Sequence, residues 1–81
     1  MANLRVTYDE EANAAYIYLT DPRVNAGVAN MYACDPVEAG GMINLDLDSD
    51  GRLVGIEVLA ASSKLPQYLL DMAERADIQR A

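Results

Sequence analysis

The chain has no histidine, tryptophan or phenylalanine, and its one cysteine is Cys34. Without histidine there is no imidazole to activate a serine or cysteine nucleophile, and neither a G-x-S-x-G elbow nor a glycine-rich phosphate loop replaces it. A lone cysteine makes no internal disulfide, and Cys34, followed by Asp35, lacks the neighbouring cation that usually activates a thiol. Basic residues are scarce as well: six Lys and Arg stand against thirteen Asp and Glu, for a net charge of −7. Phosphate binding needs a Lys/Arg stripe, so a nucleic-acid partner is not expected. The apolar runs are only a few residues long, too short to span a bilayer, and MANLRVTYDE carries neither a basic region nor an apolar one at its start. No membrane association and a cytoplasmic setting are the corresponding expectations.

What is present is aliphatic and patterned. Hydrophobic residues make up 52% of the 81 positions, with tyrosine, at five positions, as the only aromatic type. A chain of this length is expected to form a single domain over residues 1–81 with a modest core, and self-association is a reasonable route to further burial. Leu4, Val6 and Tyr8 alternate with Arg5 and Thr7, and Ala15, Ile17 and Leu19 alternate with Tyr16 and Tyr18, the period of half-buried strands. A loop over Glu10–Asn13 sets Tyr8 opposite Ala15, Val6 opposite Ile17 and Leu4 opposite Leu19. Asp21-Pro22 opens a loop running to Gly27, and Asp35-Pro36 opens another ending at Gly40-Gly41. Between them, Val28–Cys34 has no clean alternation and reads as a strand or a loop.

Asp50-Gly51 separates two alternating runs and predicts a type I′ hairpin. That register pairs Ser49 with Arg52, Leu47 with Val54, Leu45 with Ile56 and Ile43 with Val58. Asp48, Asp46 and Asn44 then lie opposite Leu53, Gly55 and Glu57 on the other face. Beyond Ser63 the period changes, and Leu65, Tyr68, Leu69, Met72 and Ala76 form a helical stripe, with Ser63 as N-cap or Pro66 as the first helical residue. The expectation is an α+β fold: an antiparallel β-meander of four to five strands (about 3–8, 14–20, 28–34, 42–48 and 52–60) packed on one C-terminal helix (about 64–79).

Residues 46–57, DLDSDGRLVGIE, match the calcium-loop expression at every defined position. Asp46, Asp48, Asp50 and Glu57 are therefore the candidate metal ligands, with Arg52 offering its carbonyl. The context opposes this, because calcium loops of this kind sit between two helices whereas both flanks here alternate at period two. Asp9-Glu10-Glu11 is a second acidic group, read as a solvated turn, and no catalytic residue or cofactor is assigned. Tyr16 and Tyr18, with Tyr32 nearby, form either a second core face, a dimer contact or a ligand pocket.

Tyr8-Asp9, Glu11-Ala12-Asn13-Ala14-Ala15-Tyr16-Ile17-Tyr18-Leu19, Asn44-Leu45-Asp46 and the run from Gly51 to Ser62 together resemble domain of unknown function family 2283, small bacterial and archaeal proteins. The chain departs from the family pattern at Asn13, where an acidic residue is usual, and in a longer stretch from Asp21 to Gly41. The resemblance implies no catalytic residue or cofactor, and it makes the calcium match a coincidence of a family hairpin. Some relatives lie beside small toxin-like nuclease genes, which implies an antitoxin-like role by association only. The leading expectation is an interaction module, homo-oligomeric with a dimer favoured, with a small basic protein as a further partner. The alternatives are a metal-ion or small-ligand site built on the Asp46 cluster and, ranked last, a carboxylate-pair enzyme.

Overall fold

A computed structural model describes residues 4–20, 27–34 and 42–76. Its strands are β1 (Arg5–Asp9), β2 (Ala14–Tyr18), β3 (Asn30–Cys34), β4 (Ile43–Leu47), β5 (Leu53–Leu59) and β6 (Glu74–Arg75). A 3₁₀ turn (Ala61–Ser63) and one short helix, α1 (Gln67–Met72), lie between β5 and β6. The sheet order is β3-β4-β5-β2-β1-β6, with β6 parallel to β1 and the other pairs antiparallel.

This overturns the expected meander with a C-terminal helix. The sheet has six strands and is mixed, and β2 lies beside β5 instead of β3. The helix is six residues long, entered from Pro66 and left at Ala73, which is extended (φ −70, ψ 149). The cause is competition for residues 73–76. A helix of this length is marginal without tertiary support, and the outer edge of β1 offers unpaired backbone groups. The chain takes that edge: Thr7 and Tyr8 pair with Glu74 and Arg75, and the Ala76 amide donates to the Tyr8 carbonyl at 2.8 Å. Arg5 Nε lies 2.6 Å from Glu74 Oε2, and Arg75 pairs with Glu10 at 3.3 Å. The helical stripe is also rephased, because Leu70 is the buried residue of α1 while Tyr68 and Met72 face solvent. The expected end of the helix, beyond Ala76, and the loops at Asp21-Pro22, Asp35-Pro36 and Gly40-Gly41 lie outside the described residues.

The first hairpin keeps its expected register, with Val6 opposite Ile17 and Tyr8 opposite Ala15. The second keeps only its base, Ile43 to Asp46 against Val58 to Gly55. Its tip is a three-residue loop, not a two-residue type I′ turn. The Gly51 amide donates to the Asp48 carbonyl at 3.0 Å, Gly51 is left-handed (φ 80), and Asp48 N donates to Arg52 O at 2.9 Å. Those contacts describe a type I turn closed by a left-handed glycine. This loop shifts the tip by one residue, so Leu47 faces Leu53, and a bulge at Val54 restores the register at Asp46 opposite Gly55. The correction keeps Val54 in the core, at 6% exposure.

Register then sorts the side chains into rows. Tyr8, Ala15, Val58, Ile43 and Cys34 form one row, and Val6, Ile17, Ile56, Leu45 and Tyr32 form the next on the same face. Leu70 and Ala61 cover the first row and complete the core cluster with Tyr8, Ala15 and Val58.

Candidate functional site: the tyrosine face and the open edge

The opposite face carries the polar chemistry. One row reads Thr7, Tyr16, Glu57, Asn44, Ala33, and its neighbour reads Arg5, Tyr18, Gly55, Asp46, Met31. Gly55 is the gap in this face. Tyr16 leans diagonally across it, so that its hydroxyl donates to Asp46 Oδ2 at 2.5 Å. A Cβ at position 55 would fall inside the Tyr16 hydroxyl and its ring carbons Cζ and Cε1. The Tyr16 and Tyr18 rings lie 4.6 Å apart, centroid to centroid, and the Arg5 guanidinium sits 5.0 Å from the centre of the Tyr18 ring. Asn44, buried beside them, donates to Glu57 Oε1 at 2.8 Å.

Partial burial, then the hydrogen bond to Asp46, pushes the Tyr16 phenol above its ordinary value near 10. The folded state therefore holds the proton where the unfolded chain releases it. The resulting stabilisation is complete below about pH 10 and is lost as pH rises from there toward the folded-state value. The urea midpoint of the parent is expected to fall more steeply above pH 10 than that of Tyr16→Phe. Parallel slopes in the two proteins would remove the Tyr16–Asp46 contact from the account.

The four candidate metal ligands are dispersed. Asp46 receives the Tyr16 hydroxyl and Glu57 receives the Asn44 amide. Asp48 Oδ1 accepts the Asp50 and Arg52 amides, both at 2.9 Å, which builds the hairpin tip. Asp50 is exposed, 3.6 Å from Arg52. Among the described residues no group of three or more His, Cys, Asp or Glu side chains is placed to hold a metal ion. In the other acidic group, Asp9 Oδ1 accepts the Ala12 amide at 3.0 Å and closes the first loop, while Glu10 faces Arg75. Tyr32 is on the core face, away from Tyr16 and Tyr18, because it shares a row with Leu45 and Ile56.

Sequence reasoning missed Asn13 as a structural hub. Asn13 is left-handed (φ 52), a conformation its short amide tolerates. Its Oδ1 accepts the Tyr8 hydroxyl at 3.2 Å and the Ser62 amide at 2.9 Å, while its Nδ2 donates to Ser62 Oγ at 2.9 Å. The Ala61 amide donates to the Asn13 carbonyl, also at 2.9 Å, so the first loop is clamped to the end of β5. An aspartate would supply the same acceptor, which explains how an acidic residue can serve at this position. The available signal was the pairing of a loop asparagine with Ala61-Ser62 in the two halves of the resemblance.

The second notable surface is β3. Met31 and Tyr32 are 59% and 64% exposed, on opposite faces of the strand, and among the described residues nothing pairs with its outer edge. On the core face, an open groove of about 530 Å³ runs between β1 and α1, lined by Leu4, Val6, Leu69 and Met72. No helix among the described residues is long and apolar enough to cross a membrane.

These features define a small α+β domain on a mixed sheet, with a hydrogen-bonded tyrosine–carboxylate face and, among the described residues, an unpaired outer edge at β3. The chain belongs to the family described as Protein of unknown function (DUF2283), whose model matches residues 5–62. That match contains both hairpins and the Asn13–Ser62 clamp, and it ends before α1 and β6. No curated protein and no solved structure matches the chain.

Proposed function

We propose that the domain is a protein-interaction module that works as a homo-oligomer, a dimer in the first instance. The observation that carries this reading is the imbalance between core and surface. Among the described residues the buried apolar ones are Tyr8, Ala15, Val54, Val58, Ala61 and Leu70, whereas Val28, Met31, Tyr32, Met42, Leu53, Tyr68 and Met72 remain exposed. A domain this small gains stability by covering such residues with another chain. The polar face supports the same reading, since the Tyr16 hydroxyl donates to Asp46 and the Asn44 amide donates to Glu57. A cation would have to take Asp48 from the amides it caps and Glu57 from Asn44. The acidic surplus of seven charges extends the reading to a basic protein as a second partner.

Light scattering coupled to size exclusion, run from micromolar to millimolar chain, tests the proposal. The expected mass is twice that of the chain. A monomer mass across the whole range would overturn it.

A further inference from the structure

We infer that the dimer forms edge to edge through β3, antiparallel and centred on Tyr32, so that the two sheets become one. The inference rests on the homo-oligomer reading above and specifies its surface and register.

The two edges of the sheet are treated differently. At one, β6 covers β1, and Arg5, Glu74, Glu10 and Arg75 add charge. At the other, no described residue pairs with the outer side of β3. Natural edge strands are usually blunted by lysine, proline, an inward charge or a bulge. Val28–Cys34 contains no charged residue and no proline, and β3 pairs with β4 without a register shift. The outer edge of β3 is therefore a regular, uncharged row of backbone donors and acceptors.

Charge selects a second copy as the occupant. Each chain carries −7, so two copies repel unless they meet where charge is lacking. The carboxylate nearest β3 in the rows, Asp46 beside Met31, already accepts the Tyr16 hydroxyl at Oδ2, and β3 itself offers a basic strand no charge to pair with. An uncharged strand suits another uncharged strand, and β3 itself is one.

Register follows from symmetry. A two-fold axis perpendicular to a sheet keeps each side chain on its own face, so residues facing each other across the axis must have the same parity. The axis therefore passes beside a single residue that meets its own copy. Centring on Tyr32 is the choice that pairs all five residues of β3. Tyr32 then faces Tyr32 of the second copy, Met31 faces Ala33, and Asn30 faces Cys34. Large side chains meet small ones, and the two phenol rings pack on the core face of the joined sheet.

A charge swap at position 32 tests surface and register together. Tyr32 is exposed, so Tyr32→Lys and Tyr32→Glu should fold, as a parent-like urea transition for each would verify. Like charges placed opposite each other should weaken self-association of each variant by at least about tenfold. An equimolar mixture of the two should recover dimers, because lysine then faces glutamate. Added salt should strengthen the parent dimer by screening the acidic surplus. If the parent dimerises and Tyr32→Lys dimerises equally well, the β3 surface is wrong while the homo-oligomer reading stands. If both variants are monomeric and the mixture stays monomeric, the Tyr32-centred register is wrong. A parent that is monomeric throughout overturns both proposals.

Discussion

Gly55→Ala is expected to lower the stability of the domain by about 3 kcal/mol in urea denaturation. The sign is informative, since glycine inside a strand is ordinarily worse than alanine by roughly 0.5–1 kcal/mol. Here the missing Cβ is the space through which Tyr16 reaches Asp46, and the hydroxyl and two ring carbons occupy it. The tyrosine has little freedom to yield, with its ring against Tyr18 and its hydroxyl held by Asp46. The remedy is to remove the obstruction. In a Tyr16→Ala background the same glycine substitution should cost less than about 1 kcal/mol, a coupling of about 2 kcal/mol between the two positions. Equal costs in both backgrounds would show that Gly55 is required by the bulge beside it and not by Tyr16.

Leu70→Ala should have an effect of similar size, about 3 kcal/mol, by a different route. Leu70 is 4% exposed and is the buried side chain with which α1 closes over Tyr8, Ala15 and Val58. Its loss opens a cavity and also loosens the segment that delivers β6 to the edge of β1. The Ala76 amide, bonded to the Tyr8 carbonyl, should then exchange with solvent faster than the amides of β2 and β5. Met72→Ala is the contrasting substitution. At 74% exposure it should change stability by no more than about 0.5 kcal/mol in the isolated chain, although the helical stripe read from sequence placed Met72 on the packed side. A large loss at Met72 with none at Leu70 would mean that α1 sits in the other rotational phase.

The tyrosine face was legible in part. Alternation placed Tyr16 and Tyr18 together, and hairpin register placed Asp46 opposite Gly55 and Asn44 opposite Glu57. What alternation does not supply is which strand lies beside which. The contact between Tyr16 and Asp46 exists because β2 lies against β5, which brings two hairpins of distant sequence into one sheet. The acidic pattern is divided for a related reason. Spacing along the chain matched a calcium loop, but in strands the residues at 46 and 57 belong to rows held by tyrosine and asparagine, while those at 48 and 50 build a turn.

The strand-or-loop choice at Val28–Cys34 was made by the structure as β3, whereas family membership, strands β1, β2, β4 and β5 and the register of the first hairpin followed from the sequence alone. Each depends on period-two patterning or on contiguous residues, and burial of one face forbids a slip by one position. The sixth strand, the short helix, the Asn13 clamp and the bulge at Val54 were decided by the tertiary structure. Each of these turns on a partner far away in sequence: the open edge of β1 for Glu74 and Arg75, Ser62 for Asn13, and the core for Val54. Local propensity favoured continuing the helix through Ala73. The unpaired backbone of β1 and the ion pair between Arg5 and Glu74 prevailed over it, because an edge with a strand to accept stabilises those residues more than another turn of marginal helix does.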